Sequence, residues 1–395
     1  MRRAFDLALG QGGAQIVSAL IFLILARVLT PTEFGQIAVA YGISMFLSIL
    51  FEFGSTSLAV RQLGTGGDQE FYEVFRARLS ATIVLVIVFA LLAVLVEELR
   101  LPSLVLILAV SSALARIASA PLRASQRTRV VGQVLVFEKV LVAALLAVTV
   151  YSFDVSISIF ITYCVIGSFA ASISARSAWP TRKFLRDLGK PRAYLVNPFR
   201  GAKHLGISSI AVGLQTLDAA VIALAAGPHI AGIFAAVGRW TQPMSLVAQA
   251  VSQSAYADMS AARSHRTAFL ILRQNMLFIA AALLPLAIVF IFADFLVLLL
   301  LGEEYANSAT VLRVLVAAVV FGSLNSPLTA FLQAKGHEYF TSAVLSIALP
   351  TQIFLMGLLA HISGAGASAL AVLTVQAALS VTLISKVRQL MKIMK

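Results

Sequence analysis

Charge is scarce in this chain. Only 12% of its 395 residues are Asp, Glu, Lys or Arg, where a soluble domain has about 25%. Cysteine is scarcer still: Cys164, inside an apolar run, is the only one. No disulfide can form within one chain, and no metal site can rest on one thiol. The five histidines, at 204, 229, 265, 337 and 361, are scattered without HExxH or any other metal-ligand spacing. Gly10-x-Gly12-Gly13 and Gly64-x-Gly66-Gly67 follow no strand and have no Walker lysine, which excludes a phosphate-cradling nucleotide loop. The acid clusters of a membrane glycosyltransferase or polymerase are also missing, because Glu303-Glu304 stands alone and reads as a solvated loop. The expectation is a protein that is not an enzyme and holds no metal or cofactor.

What the chain has is apolar length. Hydrophobic residues make up 60% of it, and the mean hydropathy is +0.94. The apolar runs are too long and unbroken for the alternating strands of a β-barrel. A spanning helix needs about 20 apolar residues. Spans are expected at about 8–29, 35–60, 78–97, 101–121, 130–152, 154–176, 203–226, 229–253, 268–292, 307–330, 337–360 and 363–386. The first carries Arg2-Arg3 ahead of a run too long for a signal peptide, so it reads as a retained helix. Prolines 243, 285, 327 and 350 fall inside spans eight to eleven as candidate kinks.

The net charge of +13 would suggest nucleic acid in a soluble protein, but here it reports topology. With a cytoplasmic N-terminus, twenty-four of the thirty Lys and Arg fall on the inner side and only Arg27, Arg100 and Arg313 on the outer. That asymmetry places both termini in the cytoplasm. Eight of the inner cations lie between Arg176 and Lys203, around Pro180, Pro191 and Pro198. This basic stretch divides the chain into an N-terminal six-helix bundle (1–176), a cytoplasmic linker (177–202) and a C-terminal six-helix bundle (203–395). The halves also echo one another. Pro31-x-x-x-Gly35-x-x-Ala38 recurs as Pro228-x-x-x-Gly232-x-x-Ala235, an offset of 197. Six spans per half give both halves the same orientation, hence an all-α integral membrane protein of about twelve helices with pseudo-two-fold symmetry.

Three stretches carry a resemblance: Leu25-Ala26-Arg27-Val28-Leu29-Thr30-Pro31-Thr32-Glu33-Phe34-Gly35; Asp218 through Gly232-Ile233-Phe234-Ala235; and Leu301-Gly302-Glu303-Glu304-Tyr305 with Ala309 and Leu312-Arg313-Val314-Leu315. In that order, the chain resembles the Wzx-type polysaccharide-repeat (O-antigen, exopolysaccharide) flippases of the multidrug/oligosaccharidyl-lipid/polysaccharide exporter superfamily. The resemblance implies a multi-pass protein of the bacterial inner membrane. It would move undecaprenyl-diphosphate-linked oligosaccharide from inner to outer leaflet by alternating access. Its partners would be that glycolipid, membrane lipids and the polysaccharide polymerase machinery, with no nucleic acid. Two departures stand out: Ala219 replaces a basic residue common after the aspartate of the seventh helix, and two further helices of some relatives do not fit this length. The alternative is a cation-coupled drug or metabolite antiporter of the same superfamily.

A charge at the bilayer centre costs about 2.5–3.5 kcal/mol or more, so it faces a bundle interior or a wet cavity. Arg239 lies about ten residues, or about 15 Å, into its span. A diphosphate calls for fixed cations, and guanidinium offers a planar fork of donors to its oxygens. The candidate substrate-binding residues are therefore Arg239, Arg27, Lys139 and Arg116. Asp218, expected to pair with Arg239, and Glu52 are candidates for proton or Na⁺ coupling. Glu138 and Lys139 are sequence neighbours about 100° apart on a helix and are expected to face different ways.

Overall fold

The computed structural model describes residues 2–64, 68–125, 127–152, 155–179, 206, 209–210, 212–262 and 264–393. Among these the chain is helical throughout, as it must be where lipid offers no partner for backbone N–H and C=O groups. In the N-terminal half, α1 (Arg2–Val28), α2 (Pro31–Glu52), α3 (Ser55–Gly64), α4 (Asp68–Leu95), α5 (Arg100–Ala118), α6 (Ala120–Ala124), α7 (Thr128–Ser152) and α8 (Ile157–Ser177) follow one another. The C-terminal half runs through a 3-10 turn (Leu214–Leu217) into α9 (Asp218–Ala226) and α10 (Pro228–Ala261). Then come α11 (His265–Ala282), α12 (Pro285–Ile291), α13 (Ala293–Leu300), α14 (Ser308–Ala334) and α15 (Glu338–Ile393). Eight helices among the described residues are long and apolar enough to cross a membrane, or nine if the pair bent by 40° at Pro285 is one span. The expected linker lies, from residue 180 on, outside the described residues.

Local chemistry explains most of the boundaries. Thr30 caps α2 in a capping box, taking the Glu33 N–H on its side chain while the Glu33 carboxylate accepts from the Thr30 N–H at 3.0 Å. Pro31 and Pro228 open α2 and α10 at the position where a missing N–H costs nothing. The second span is shorter than expected. It stops at Glu52 because Phe53 (φ 46°) and Gly54 (φ 69°) turn left-handed, and α3 leaves in a new direction. Of the candidate kinks, Pro285 breaks the chain, whereas Pro243, Pro327 and Pro350 stay within helices. The last two expected spans are one helix by hydrogen bonding, broken at Ser363 and Gly364 (φ 75°).

Apolar burial divides the molecule unevenly. The largest cluster draws on both halves: Phe22, Leu25 and Phe34 pack with Phe234, Leu301 and Leu312. A second cluster, Phe71, Phe75, Leu122 and Trp179, is purely N-terminal. A third, Met259, Leu272, Phe331 and Leu383, is purely C-terminal. The shared core lies at the end carrying the α1–α2 and α9–α10 turns, called the hairpin end below. The separate cores lie at the opposite, basic end, near Arg78, Arg123 and Lys335. Outward-facing side chains such as Leu91, Val94, Leu224, Ile347 and Phe354 are exposed, as a lipid solvent requires.

Candidate functional site at the seam of the halves

At the hairpin end the repeated motifs touch each other. A Cβ on Gly35 would lie 1.9 Å from the Pro228 carbonyl oxygen, and a Cβ on Gly232 would lie 1.8 Å from the Pro31 carbonyl oxygen. The contact is reciprocal and admits only glycine, the close-approach device of membrane helix pairs. The third familiar stretch seals it. The buried Tyr305 hydroxyl donates to the Leu29 carbonyl at 3.1 Å, and its ring meets Phe34 edge-on at 6.3 Å. Burial pushes this phenol's pKa up. Ser308 donates to the Ile233 carbonyl at 3.0 Å. All three stretches on which the resemblance rests thus form one junction. From there α2 stays flush with the start of the C-terminal half, Gly42 against the Thr216 carbonyl and Ile49 against Gly213.

Below the junction, Arg239 crosses the seam. It leaves α10, in the C-terminal half, and its guanidinium carbon lies 5.0 Å from the Phe22 ring centre and 5.5 Å from that of Tyr41. Phe22, Tyr41 and Phe160 form an aromatic box within the N-terminal half, with centroids 5.3–6.1 Å apart. A half-buried cation over ring faces is held by their quadrupoles. The expected Asp218–Arg239 pair is not formed. The Asp218 carboxylate accepts from the Ala219 N–H at 2.7 Å and lines a cavity with Gly238 and Thr241, on another face of α10.

Lys139 stands on α7, which packs on α8 and so on the helix of Phe160. Its ammonium donates to the Glu138 carboxylate at 2.7 Å, contrary to the expectation that the two face apart. Long side chains bridge the 100° when neither charge has a better partner in an apolar span. Of the four expected cations, Arg239 stacks on the aromatic box, while Lys139 is paired with Glu138 on the neighbouring α7.

The other candidates lie elsewhere. Arg27 is exposed at the hairpin end of α1, beside Gly302. Arg116 is at the basic end, near Arg123 and distant from the box in the fold. Glu52 is buried and caps α3, its carboxylate accepting from the Thr56 N–H at 2.8 Å. Arg78 closes the same corner by donating to the carbonyls of Phe51 and Glu52 and to the Ser55 hydroxyl. Phe22 and Tyr41 were not singled out by sequence reasoning, because one aromatic in an apolar helix looks like any other. Among the described residues no group of three His, Cys, Asp or Glu could hold a metal ion.

Comparison with known proteins gives one family and one fold. A family model described as "Polysaccharide biosynthesis protein" matches residues 1–260. No curated protein matches the chain. Among solved structures it is similar to the lipid II flippase MurJ in an inward closed conformation, with TM-score 0.73, 13% identity, and coverage of 97% of this chain and 87% of that one. It is similar also to a MATE-family multidrug resistance transporter of the MOP superfamily, facing inward, with TM-score 0.71, 14% identity and 96% of each chain covered. A MOP superfamily transporter from Pyrococcus furiosus, whose binding pocket is described as reversed in polarity, aligns with TM-score 0.63, 13% identity and coverage of 98% and 94%.

Proposed function

Because the chain belongs to the polysaccharide biosynthesis protein family, we propose that it is a lipid-linked oligosaccharide flippase. It carries undecaprenyl-diphosphate-linked polysaccharide repeat units from the inner to the outer leaflet of the bacterial inner membrane. The observation that carries this reading is Arg239, a fork of donors that crosses the seam from α10 to lie over the Phe22 and Tyr41 rings of the other half. An anionic head needs such a site, and an organic cation does not.

With both termini cytoplasmic, the basic end faces inward and the hairpin end outward. A shared core outside and separate cores inside suit a pair of six-helix bundles, 1–176 and 203–395, joined by the basic linker 177–202 and hinged about the glycine junction. The sugar-diphosphate head enters from the cytoplasmic side while the polyprenyl tail stays in lipid. Separation of the Gly35–Gly232 contact then opens the outer face. An inside-negative potential favours outward movement of an anion by about 2.3 kcal/mol per charge per 100 mV, enough to bias direction. If a proton or Na⁺ is coupled, Asp218 is the better candidate, since it lines a cavity while Glu52 is buried against the start of α3.

The test is extraction of polyprenyl-linked glycans from cells carrying Arg239→Ala or Arg239→Lys. Arg239→Ala should abolish export and accumulate the lipid-linked glycan while the protein still inserts. Arg239→Lys, which keeps charge without the fork, should retain some export. Export at the wild-type level in Arg239→Ala sinks the site. An unchanged lipid-linked pool in cells depleted of the protein turns the reading to the cation-coupled antiporter, which would draw on Asp218.

A further inference from the structure

The C-terminal half holds a second polar site that the cation chemistry leaves unused. Two adjoining cavities, about 530 and 350 Å³ in volume, share Gln215, Gln249, Gly322, Ser326 and Gln376 in their walls. Asn325, Gln333 and Gln352 complete a lining rich in side-chain amides. No lysine or arginine stands among the described lining residues, and Asp218 is the sole carboxylate there. Volumes of this size suit a small ligand rather than a bare ion.

Some of this polarity is structural. Asn325 donates to the Gln376 backbone and side-chain oxygens at 3.1 and 3.2 Å, Gln376 donates to Gln352 at 3.2 Å, and Ser380 donates to Asn325 at 2.6 Å. Such bonds tie α14 to the second arm of α15, and that arm to the first. They do not account for Gln215 and Gln249, whose side chains are exposed to the cavity. Gln215 makes no side-chain hydrogen bond among the described residues, and Gln249 makes one long one, to Ser245 at 3.4 Å. An amide inside a membrane bundle is retained at a cost, and glue does not explain these two.

We propose that this cavity binds the sugar hydroxyls of the transported glycolipid. Each glutamine offers two donors and an acceptor, the pattern that a neutral polyol matches and a phosphate does not. Tyr256, half-exposed at the rim, gives a sugar ring an apolar face. One helix organises both sites. Phe234, Gly238, Thr241, Ser245, Gln249 and Ser252 recur at helical spacing along the cavity face of α10, and Arg239 projects roughly a third of a turn away towards the aromatic box. The diphosphate is read on one side of α10 and the glycan on the other. The inference rests on the flippase reading above and adds the element that selects the sugar.

The test uses the full chain in nanodiscs, with binding followed by tryptophan fluorescence, since Trp240 adjoins Arg239. The two probes are undecaprenyl-diphosphate-linked oligosaccharide extracted from the host and undecaprenyl diphosphate without sugar. The paired substitutions Gln215→Ala and Gln249→Ala should weaken the glycan-bearing probe about tenfold or more. They should leave the bare lipid unchanged, which also shows that the protein is folded. Wild-type affinity of the paired variant for the glycan-bearing probe, or equal loss for both probes, overturns the sugar site and leaves the flippase standing. A wild-type protein that binds neither probe overturns the flippase reading and the sugar site with it.

Discussion

Adding one methyl group at Gly35 tests whether the junction is a gate. In Gly35→Ala the new Cβ would lie 1.9 Å from the Pro228 carbonyl oxygen and 2.9 Å from the Gly232 nitrogen. Both are backbone atoms in helix starts, so no side chain can swing aside. Reaching ordinary contact at 3.4 Å requires α2 and α10 to separate by about 1.5 Å. Overpacking of this kind costs about 1–3 kcal/mol, and it applies only while the hairpin end is closed. The closed state therefore loses ground to the open one by about 5–150-fold. The assay needs a reporter under the junction. Ala38→Cys is suitable, because Ala38 is fully buried, in a Cys164→Ser background. A membrane-impermeant maleimide added outside should label this cysteine about 5–150-fold faster when Gly35 is alanine. Gly232→Ala should act alike, because its Cβ meets the Pro31 carbonyl oxygen at 1.8 Å. The two together should give less than the sum, since both open the same contact. Unchanged labelling in well-expressed Gly35→Ala would refute the idea that this contact must open.

Three further outcomes are expected. Tyr305→Phe leaves the Leu29 carbonyl without its donor and should lower stability by about 0.5–1.5 kcal/mol, read as a fall in Tm of the purified protein; an unchanged Tm would mean the hydroxyl adds nothing to the seal. Glu52→Gln keeps an oxygen for the Thr56 N–H, so export should stay near normal. A loss of export with a normal Tm would instead make Glu52 a coupling acid. Lys139→Met leaves the Glu138 carboxylate unpaired within the span and should lower expression and Tm. Adding Glu138→Gln should recover much of that loss, and no recovery would show that Lys139 is held by something other than its neighbour.

Most span positions were legible because a helix in lipid satisfies its own backbone, so length and apolarity decide it locally. Pro31 and Pro228 could be read for the same reason, since a helix start is settled within one turn. The break after Glu52 was not legible, because phenylalanine gives no signal for a left-handed turn. The depth of Arg239 follows from counting residues. Its aromatic bed does not, because the rotation of α10 about its axis is set by the helices packed on it. The same rotation separates Asp218 from Arg239, and helix docking takes Arg27 and Arg116 away from Lys139. The amides of the C-terminal cavity come from separate helices far apart in the chain, so no window of sequence displays them as a set.

By itself the sequence determined an all-helical membrane protein, the places of most of its spans, a repeated Pro-x-x-x-Gly-x-x-Ala motif and a scarcity of charges within them. Each of these is a property of one turn or one span. Only the tertiary structure decided that the two copies of the motif press on each other 197 residues apart, and that Arg239 lies over the Phe22 and Tyr41 rings of the other half. Those facts depend on how two halves dock, and docking is governed by the shape of whole helix faces.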